Sequence, residues 1–369
     1  MSKSYYSLGL MSGTSMDGVD ASIIQSDGEK KYNVIMDKYF EYPQSTYKDL
    51  TKLRDKIKSS KDLKKFSKEI KKVEKEITLF HAKSVNQILK KTKVNVDLIG
   101  FHGQTIYHNA KEKISKQLGD GKILSQLTKK KVVYNFRQND LKNGGQGAPL
   151  TPIFHKMLAK KLKLKNVTFI NIGGITNVTN ICEDGFFDSY DIGPGMCLID
   201  KWIRINSKKK YDNGGRIARS GKIKKKLLDK AIYSFKKKVH KSSYDVSDFN
   251  ISLVKGLSLK DGAATLTEYT AELLFEYFFD PLGGAEGNVL SGGGRKNKTL
   301  IKSIENKIKK WGALTEPLKY IDDYEIDGDF VESQAFAYLA VRSYLKKFIT
   351  FPSTTGVSKP SLGGLLYYN

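Results

Sequence analysis

Twice in this 369-residue chain an apolar, strand-like run breaks at glycines and then resumes as a second apolar run. The first copy is Tyr6-Ser7-Leu8-Gly9-Leu10-Met11-Ser12-Gly13-Thr14-Ser15-Met16-Asp17-Gly18-Val19-Asp20-Ala21-Ser22-Ile23-Ile24. The second is Val167-Thr168-Phe169-Ile170-Asn171-Ile172-Gly173-Gly174-Ile175-Thr176-Asn177-Val178. Each reads as a β-hairpin with a small-residue tip. One such hairpin in each half predicts an α/β chain of two duplicated lobes with a cleft between them. The length exceeds one ordinary core, and 39% hydrophobic residues are enough for two. The lobes are expected at 1–137 with 350–369, and at 138–349.

Several classes are excluded early. No apolar run approaches the roughly 20 residues that span a bilayer, so membrane insertion is not expected. The first 18 residues, MSKSYYSLGLMSGTSMDG, lack the basic region, apolar core and cleavage site of a signal peptide. Cys182 and Cys197 are the two cysteines, too few for a disulfide framework or a zinc ligand set. A reducing cytoplasm is the simplest compartment. The net charge of +25 allows a polyanion partner. However, the lysines are spread over helical segments, arginine is scarce, and no aromatic–basic interleaving stands out. The charge therefore reads as solvated lysine faces, and no specific nucleic-acid partner is expected.

The residue patterns point to an anion held by glycine-rich turns. In Tyr190-Asp191-Ile192-Gly193-Pro194-Gly195 an apolar strand breaks into a turn that the helix beginning at Cys197 picks up. Gly193 and Gly195 would let amides approach a bound anion, with the positive end of the helix behind them. Asp191 would face whatever the turn holds; an ordinary tight turn is the competing reading. In the first hairpin, Gly13 and Gly18 permit a tight loop and Thr14 and Ser15 add hydroxyls. Asp17 and Asp20 could orient a hydrated Mg²⁺ beside β- and γ-phosphates, although a plain polar turn has the same composition. Residues 47–93 read as one long amphipathic helix, through Leu63, Phe66, Ile70, Val73, Ile77 and Phe80. Val96–Phe101 reads as a buried strand ending in His102-Gly103-Gln104-Thr105, where α/β sheets bind ligands. His102 is either a structural histidine or a polar contact to substrate or phosphate, and Gln104 and Thr105 share the second role. Lys131–Phe136 is a further strand, before a glycine-rich loop at 143–149 and a Pro-initiated helix at Thr151–Leu162. Residues 204–260 show no legible chemistry. Gly287–Asn297 reads as a strand entering a triple-glycine turn, Gly292-Gly293-Gly294, against which an adenine ring can lie, with Asn297 adding a hydrogen bond. Asp329–Phe348 is a last helix with Glu332 in its first turn.

With these turns in this order, the chain resembles the sugar kinase/Hsp70/actin superfamily, and within it the anhydro-N-acetylmuramic acid kinase family. The matching runs are GLMSGTSMDGVDA at 9–21, FHGQT at 101–105, GGQGAPL at 144–150, NIGGITN at 171–177 and DIGPG at 191–195. They continue with SGGGRKN at 291–297, VESQAFAYLA at 331–340 and the TTG of the tail. The resemblance covers nearly the whole chain. It implies a two-lobed, actin-like (ribonuclease H-like) ATPase fold that uses ATP and Mg²⁺. It implies that a 1,6-anhydro sugar is opened by water and phosphorylated on O6, in peptidoglycan recycling. A conventional sugar kinase acting on a free hydroxyl, or a nucleotide-switched binding protein, are the alternatives. By motif, Asp191 is the base that activates water. Gly13, Thr14, Ser15, Met16, Asp17, Gly18, Val19 and Asp20 hold the nucleotide phosphates. Asn171, Gly173, Gly174, Gly193 and Gly195 are further nucleotide-binding positions, with Gly292, Gly293, Gly294 and Asn297 at the adenosine end. His102, Gln104, Thr105 and Glu332 contact substrate, and Asp17 and Asp20 carry the metal. The partners implied are the small sugar and ATP, with a homodimer left open. One residue departs from the pattern: Met196 stands where the family usually has Asn after DIGPG, which removes an amide donor.

Overall fold

A computed structural model describes residues 3–237, 243–278, 287–311 and 318–368. Two compact units emerge, one formed by Met1–Lys163 with Asp329–Asn369 and the other by Leu164–Gly328.

The first unit is built on a seven-stranded sheet. Strands β1 (Tyr5–Ser12), β2 (Gly18–Ser26) and β3 (Tyr32–Glu41) form an antiparallel meander. Strand β4 (Leu98–Asn109) runs parallel to β1, and β6 (Lys131–Tyr134) runs parallel to β4. Strand β5 (Ile114–Leu118) folds back on β4, and a terminal strand, Leu365–Tyr367, closes the β6 edge. β1 and β4 are nearly all buried because helices cover both faces, as parallel central strands require. On one face Leu8, Leu10, Ile99 and Phe101 pack against helices Gln44–Lys56 and Ser67–Leu89. On the other, Met11, Leu98 and Val133 meet helix Val331–Tyr344.

The units divide after Lys163 and after Gly328, where 137 and 349 were expected, and that second contact accounts for the later division. Gly9 and Gly100 are register partners, and together they make room for the helix backbone. A Cβ on Gly9 would lie 1.8 Å from the Ser333 carbonyl oxygen, and one on Gly100 would lie 2.1 Å from that of Phe336. The Ser7 hydroxyl donates to the Ala337 carbonyl at 2.8 Å. Helix Val331–Tyr344 is thus part of the first sheet's core, although it follows the second unit in the chain. The expected single helix over 47–93 is also broken into Gln44–Lys56, Ser60–Lys65 and Ser67–Leu89. Ser59 and Asp62 form a capping box that restarts the chain after Ile57 leaves the helical region.

The second unit repeats the plan. Strands β7 (Val167–Ile172), β8 (Ile175–Ile181) and β9 (Phe187–Pro194) are an antiparallel meander. Strand β10 (Gly287–Ser291) is parallel to β7, and β11 (Lys319–Tyr320) is parallel to β10. The spatial order β9-β8-β7-β10-β11 reproduces β3-β2-β1-β4-β6 strand for strand. The duplicated α/β architecture expected from the two hairpins is therefore present in the topology itself. Helices Leu259–Phe278 and Lys298–Trp311 accompany this sheet.

The first unit buries His81, His102 and His155. Burial lowers the His81 pKa to about 4 and the His155 pKa to about 3, and it drives His102 well below 6.5 with help from the Arg137 charge. The unfolded chain takes up these protons near pH 6.5 and the folded chain does not. The stability they contribute is therefore complete above about pH 6.5 and is lost as pH falls through that value. Each histidine makes stability steeper by up to about 1.4 kcal/mol per pH unit. Urea denaturation at pH 7, 6 and 5 should show this fall before carboxylates respond, and a flat profile across that window would contradict it.

Candidate active site

Asp191 lies within β9, directly across from Asn177 of β8. Thr176 pairs with Gly193 and Asn177 with Asp191, so Ile192 is a bulged residue beside the carboxylate. Asp191 is buried, and its Oδ2 accepts the Tyr244 backbone N–H at 2.7 Å. The Tyr244 ring packs on Phe235 and Phe249, with centroids 6.1 and 5.2 Å away. This support comes from the 204–260 stretch, whose sequence showed no chemistry. The turn after β9 does not offer its amides to an anion as expected. The N–H groups of Gly195 and Cys197 donate to the Gly174 carbonyl at 3.0 and 3.1 Å, and that of Met196 to the Gly173 carbonyl at 2.9 Å. A Cβ on Gly195 would sit 2.3 Å from the Gly173 oxygen, so the contact requires glycine there. Gly193 instead belongs to the strand ladder.

The triple-glycine turn follows β10. A Cβ on Gly292 would meet Asn171 Oδ1 at 2.4 Å, one on Gly294 would meet the Ile172 side chain at 2.2 Å, and Gly293 faces open space. Buried Arg295 fixes the turn. It forks onto Asp322 at 2.7 and 2.8 Å and donates to the Gly292 carbonyl at 3.1 Å. The paired guanidinium holds the Asp322 carboxyl below the usual range. Asn297 accepts the Leu300 N–H at 3.1 Å as a helix cap, while its buried Nδ2 has no partner among the described residues. Thr299 donates to the Gly215 carbonyl at 2.7 Å, which holds a second glycine turn beside Asn297.

In the first unit, the tip between β1 and β2 exposes Thr14 and Ser15 but buries the side chains of Met16 and Val19, which leaves only the backbone of those two for a ligand. Met16 adopts φ +58°, a costly conformation for a non-glycine residue, offset by burial of its side chain. Gln104 is not placed as a substrate contact. Its amide accepts from Ser12 at 2.7 Å and donates to the Gly13 carbonyl at 3.0 Å, so it braces the hairpin. Thr105 Oγ1 accepts from Gln117 at 3.1 Å. Arg54, unmarked in the sequence pattern, donates to the Thr14 carbonyl at 3.2 Å. Ser15 donates to Asp17 Oδ1 at 2.5 Å. The charges of Asp17 and Asp20, added to burial, push the Tyr39 and Tyr42 hydroxyls above their usual range, so both carboxylates act on one neighbourhood. Among the described residues no three acidic, histidine or cysteine side chains converge. A pair of hard oxygen donors fits Mg²⁺, which keeps water and phosphate oxygens as its other ligands.

His102 is buried with Nδ1 2.9 Å from the Gly103 carbonyl, while Nε2 takes Arg137 Nη2 at 2.8 Å. The neutral Nδ1–H tautomer satisfies both contacts. Arg137 also donates to the Gly147 carbonyl at 2.6 Å, and the Phe336 ring covers His102 at 4.5 Å. One turn before Phe336, Glu332 makes no hydrogen bond or ion pair with the described residues. Burial raises its pKa, against the attraction of Arg137. Arg137 thus links three of the motif segments, and its one sequence signal is an isolated arginine after a buried strand.

A duplicated sheet with a braced glycine hairpin in each copy is the α/β plan expected of an actin-like fold. The sequence pattern described as anhydro-N-acetylmuramic acid kinase matches residues 5–369. A kinase of that name from Pelagibacter ubique (strain HTCC1062) is 52% identical over 378 residues, covering 100% of both chains. Those of Zymomonas mobilis and Brucella canis are 38% and 37% identical, covering 97–99% of each chain. The chain belongs to the anhydro-N-acetylmuramic acid kinase family and is an enzyme of that kind.

Glu332 allows a direct check on the first unit. Its raised pKa means that the folded state favours the protonated form. Stability from this group is present below about pH 4.5 and is lost as pH rises through the folded value. Glu332→Gln should melt higher than the wild type at pH 8, with the difference vanishing near pH 4. Equal melting curves at pH 8 would show that the carboxyl is not desolvated.

Proposed function

We propose that the chain uses ATP and water to convert 1,6-anhydro-N-acetylmuramic acid into N-acetylmuramic acid 6-phosphate and ADP, within peptidoglycan recycling. The bridged sugar has no free 6-hydroxyl, so the phosphate acceptor must be made by breaking C1–O6. Asp191 takes a proton from water as the water oxygen bonds to C1, and the C1–O6 electron pair passes to O6. O6 then attacks the γ-phosphorus as its bond to the ADP oxygen breaks, a step that depends mainly on alignment and charge stabilisation. The observation that carries this reading is Asp191 itself, buried and held at one oxygen by the Tyr244 amide. A fixed base of that kind can take a proton from a water aligned on C1.

The remaining roles follow from what each group has left to offer. Thr14, Ser15 and the backbone of Gly13–Asp20 serve the β- and γ-phosphates, braced from behind by Gln104 and Arg54. Gly293, open on one side, and the Asn297 Nδ2 serve the adenosine end. Asp17 and Asp20 would hold Mg²⁺, which supplies charge neutralisation at the phosphates. Glu332, which makes no hydrogen bond to the described residues and feels the Arg137 charge, assists the water or the sugar, in the same unit as His102 and Thr105. A supply of ATP places the reaction in the cytoplasm, and among the described residues no helix is long and apolar enough to cross a membrane.

Incubation with Mg²⁺-ATP and either the anhydro sugar or the open-ring sugar decides between hydrolytic and conventional phosphorylation. The anhydro sugar should yield the 6-phosphate with one oxygen from ¹⁸O-water at C1, and phosphorylation of the open-ring form alone would defeat the proposal. Chelation by EDTA should stop turnover and added Mg²⁺ should restore it. Asp191→Asn should lose about 10²–10⁴-fold in kcat while retaining its melting temperature and nucleotide affinity.

A further inference from the structure

In the second unit, four polar side chains stand in one register row across adjacent strands. Ser291 of β10 pairs with Asn171 of β7, Asn171 with Asn177 of β8, and Asn177 with Asp191 of β9. Cross-strand partners project from the same face of a sheet, with Cβ atoms about 4.5–5.5 Å apart. The row therefore runs from the edge of the triple-glycine turn to the carboxylate. The next pair along β8 and β9 is also polar, since Thr179 faces Ser189. On the opposite face of the same hairpin Val178 and Ile192 join a core cluster, beside a polar pair in which Asn180 donates to Asp188 at 2.7 Å.

Asn177 is the anomaly in this row. Its Oδ1 is buried and has no hydrogen-bond partner among the described residues. Nearly all buried polar side-chain atoms are paired, because an unpaired one forfeits its hydration without return. Asn177 is also next to the bulge at Ile192, and bulges re-aim side chains beside active sites. The lock between Gly173-Gly174 and Gly195-Met196-Cys197 holds both strands at this point. An acceptor left empty here, opposite the base, is placed for a hydrogen that arrives with a ligand.

We infer that Asn177 is a second catalytic residue of the hydrolytic half-reaction: its Oδ1 accepts a hydrogen bond from the water that Asp191 deprotonates. The inference rests on Asp191 being the base. The attacking water has two hydrogens with different fates. One goes to Asp191 as the C1–O bond forms, and the other remains on oxygen as the new anomeric hydroxyl. Asn177 holds the hydrogen that stays and so turns the oxygen lone pair toward C1. A carboxamide suits this task because it accepts without competing for the proton.

Three purified variants test it. Asn177→Ala should keep the wild-type melting temperature or exceed it, because it removes an unsatisfied buried oxygen, and its kcat on the anhydro sugar should fall about 10²–10³-fold. Its KM for ATP should stay within about twofold. Asn177→Asp places a second carboxylate beside Asp191, so the acid limb of its kcat/KM profile should move up by about one pH unit or more. Wild-type kcat in Asn177→Ala, or an unmoved acid limb in Asn177→Asp, would overturn the inference. A lowered melting temperature with kcat retained would likewise make Asn177 structural. Asp191→Asn separates the two levels. If it is inactive while Asn177→Ala turns over normally, only this inference fails; if it is active, the base lies elsewhere and both fail.

Discussion

Three backbone hydrogen bonds, from Gly195, Met196 and Cys197 to the carbonyls of Gly173 and Gly174, set the geometry on which the second unit depends. They join the tip of one hairpin to the start of the helix after the next strand, and so fix the end of β9 that carries Asp191. One of the bonds satisfies the amide of Cys197, the first helical residue, and together the three supply rigidity. The first unit has the same strand order but braces its hairpin differently. There the side chains of Gln104, Ser12 and Arg54 hold the loop, and its exposed hydroxyls stay available. The two hairpins thus share topology and differ in support: one holds the strand that carries the proposed base, and the other leaves hydroxyls exposed.

Met196 stands at this lock. It occupies the N-cap of helix Cys197–Asn206, where asparagine is favoured because its side chain accepts a free amide. Here the lock pairs the amides of Met196 and Cys197, whereas a cap side chain would accept from Leu198 or Ile199. Methionine makes no cap bond and packs instead against two apolar clusters of the unit. Met196 therefore gives up a cap bond and gains apolar contact.

Much of this was legible in the sequence because glycine spacing and apolar runs are local signals. The two hairpins, the triple-glycine turn and the Pro-initiated helix Pro152–Leu162 stand where the pattern places them. What was not legible depends on contacts far apart in the chain. Helix Val331–Tyr344 joins the first sheet because Gly9 and Gly100 lie side by side, a pairing no local window contains. Tyr244 reaches Asp191 through a backbone amide, which carries no residue signature. Gln104 reads as a ligand group because it stands past a buried strand, where open α/β sheets bind ligands, yet its partners Ser12 and Gly13 lie about ninety residues away.

Arginine shows how composition and placement combine. The chain draws most of its +25 charge from lysine, and its lysine pairs, such as Lys56–Glu69 and Lys165–Glu183, are largely exposed and contribute little each. The guanidinium is reserved for junctions. Arg295 ties the triple-glycine turn to Asp322, and Arg137 ties the glycine-rich loop at Gly147 to His102. In each unit a turn with little side-chain substance of its own is pinned by a planar fork that can satisfy a carbonyl and a side chain together. An ammonium has three donors but no fixed plane, so it would hold either partner less firmly. Glycine gives these turns their close approach to neighbouring segments, and arginine restores the rigidity that glycine gives up.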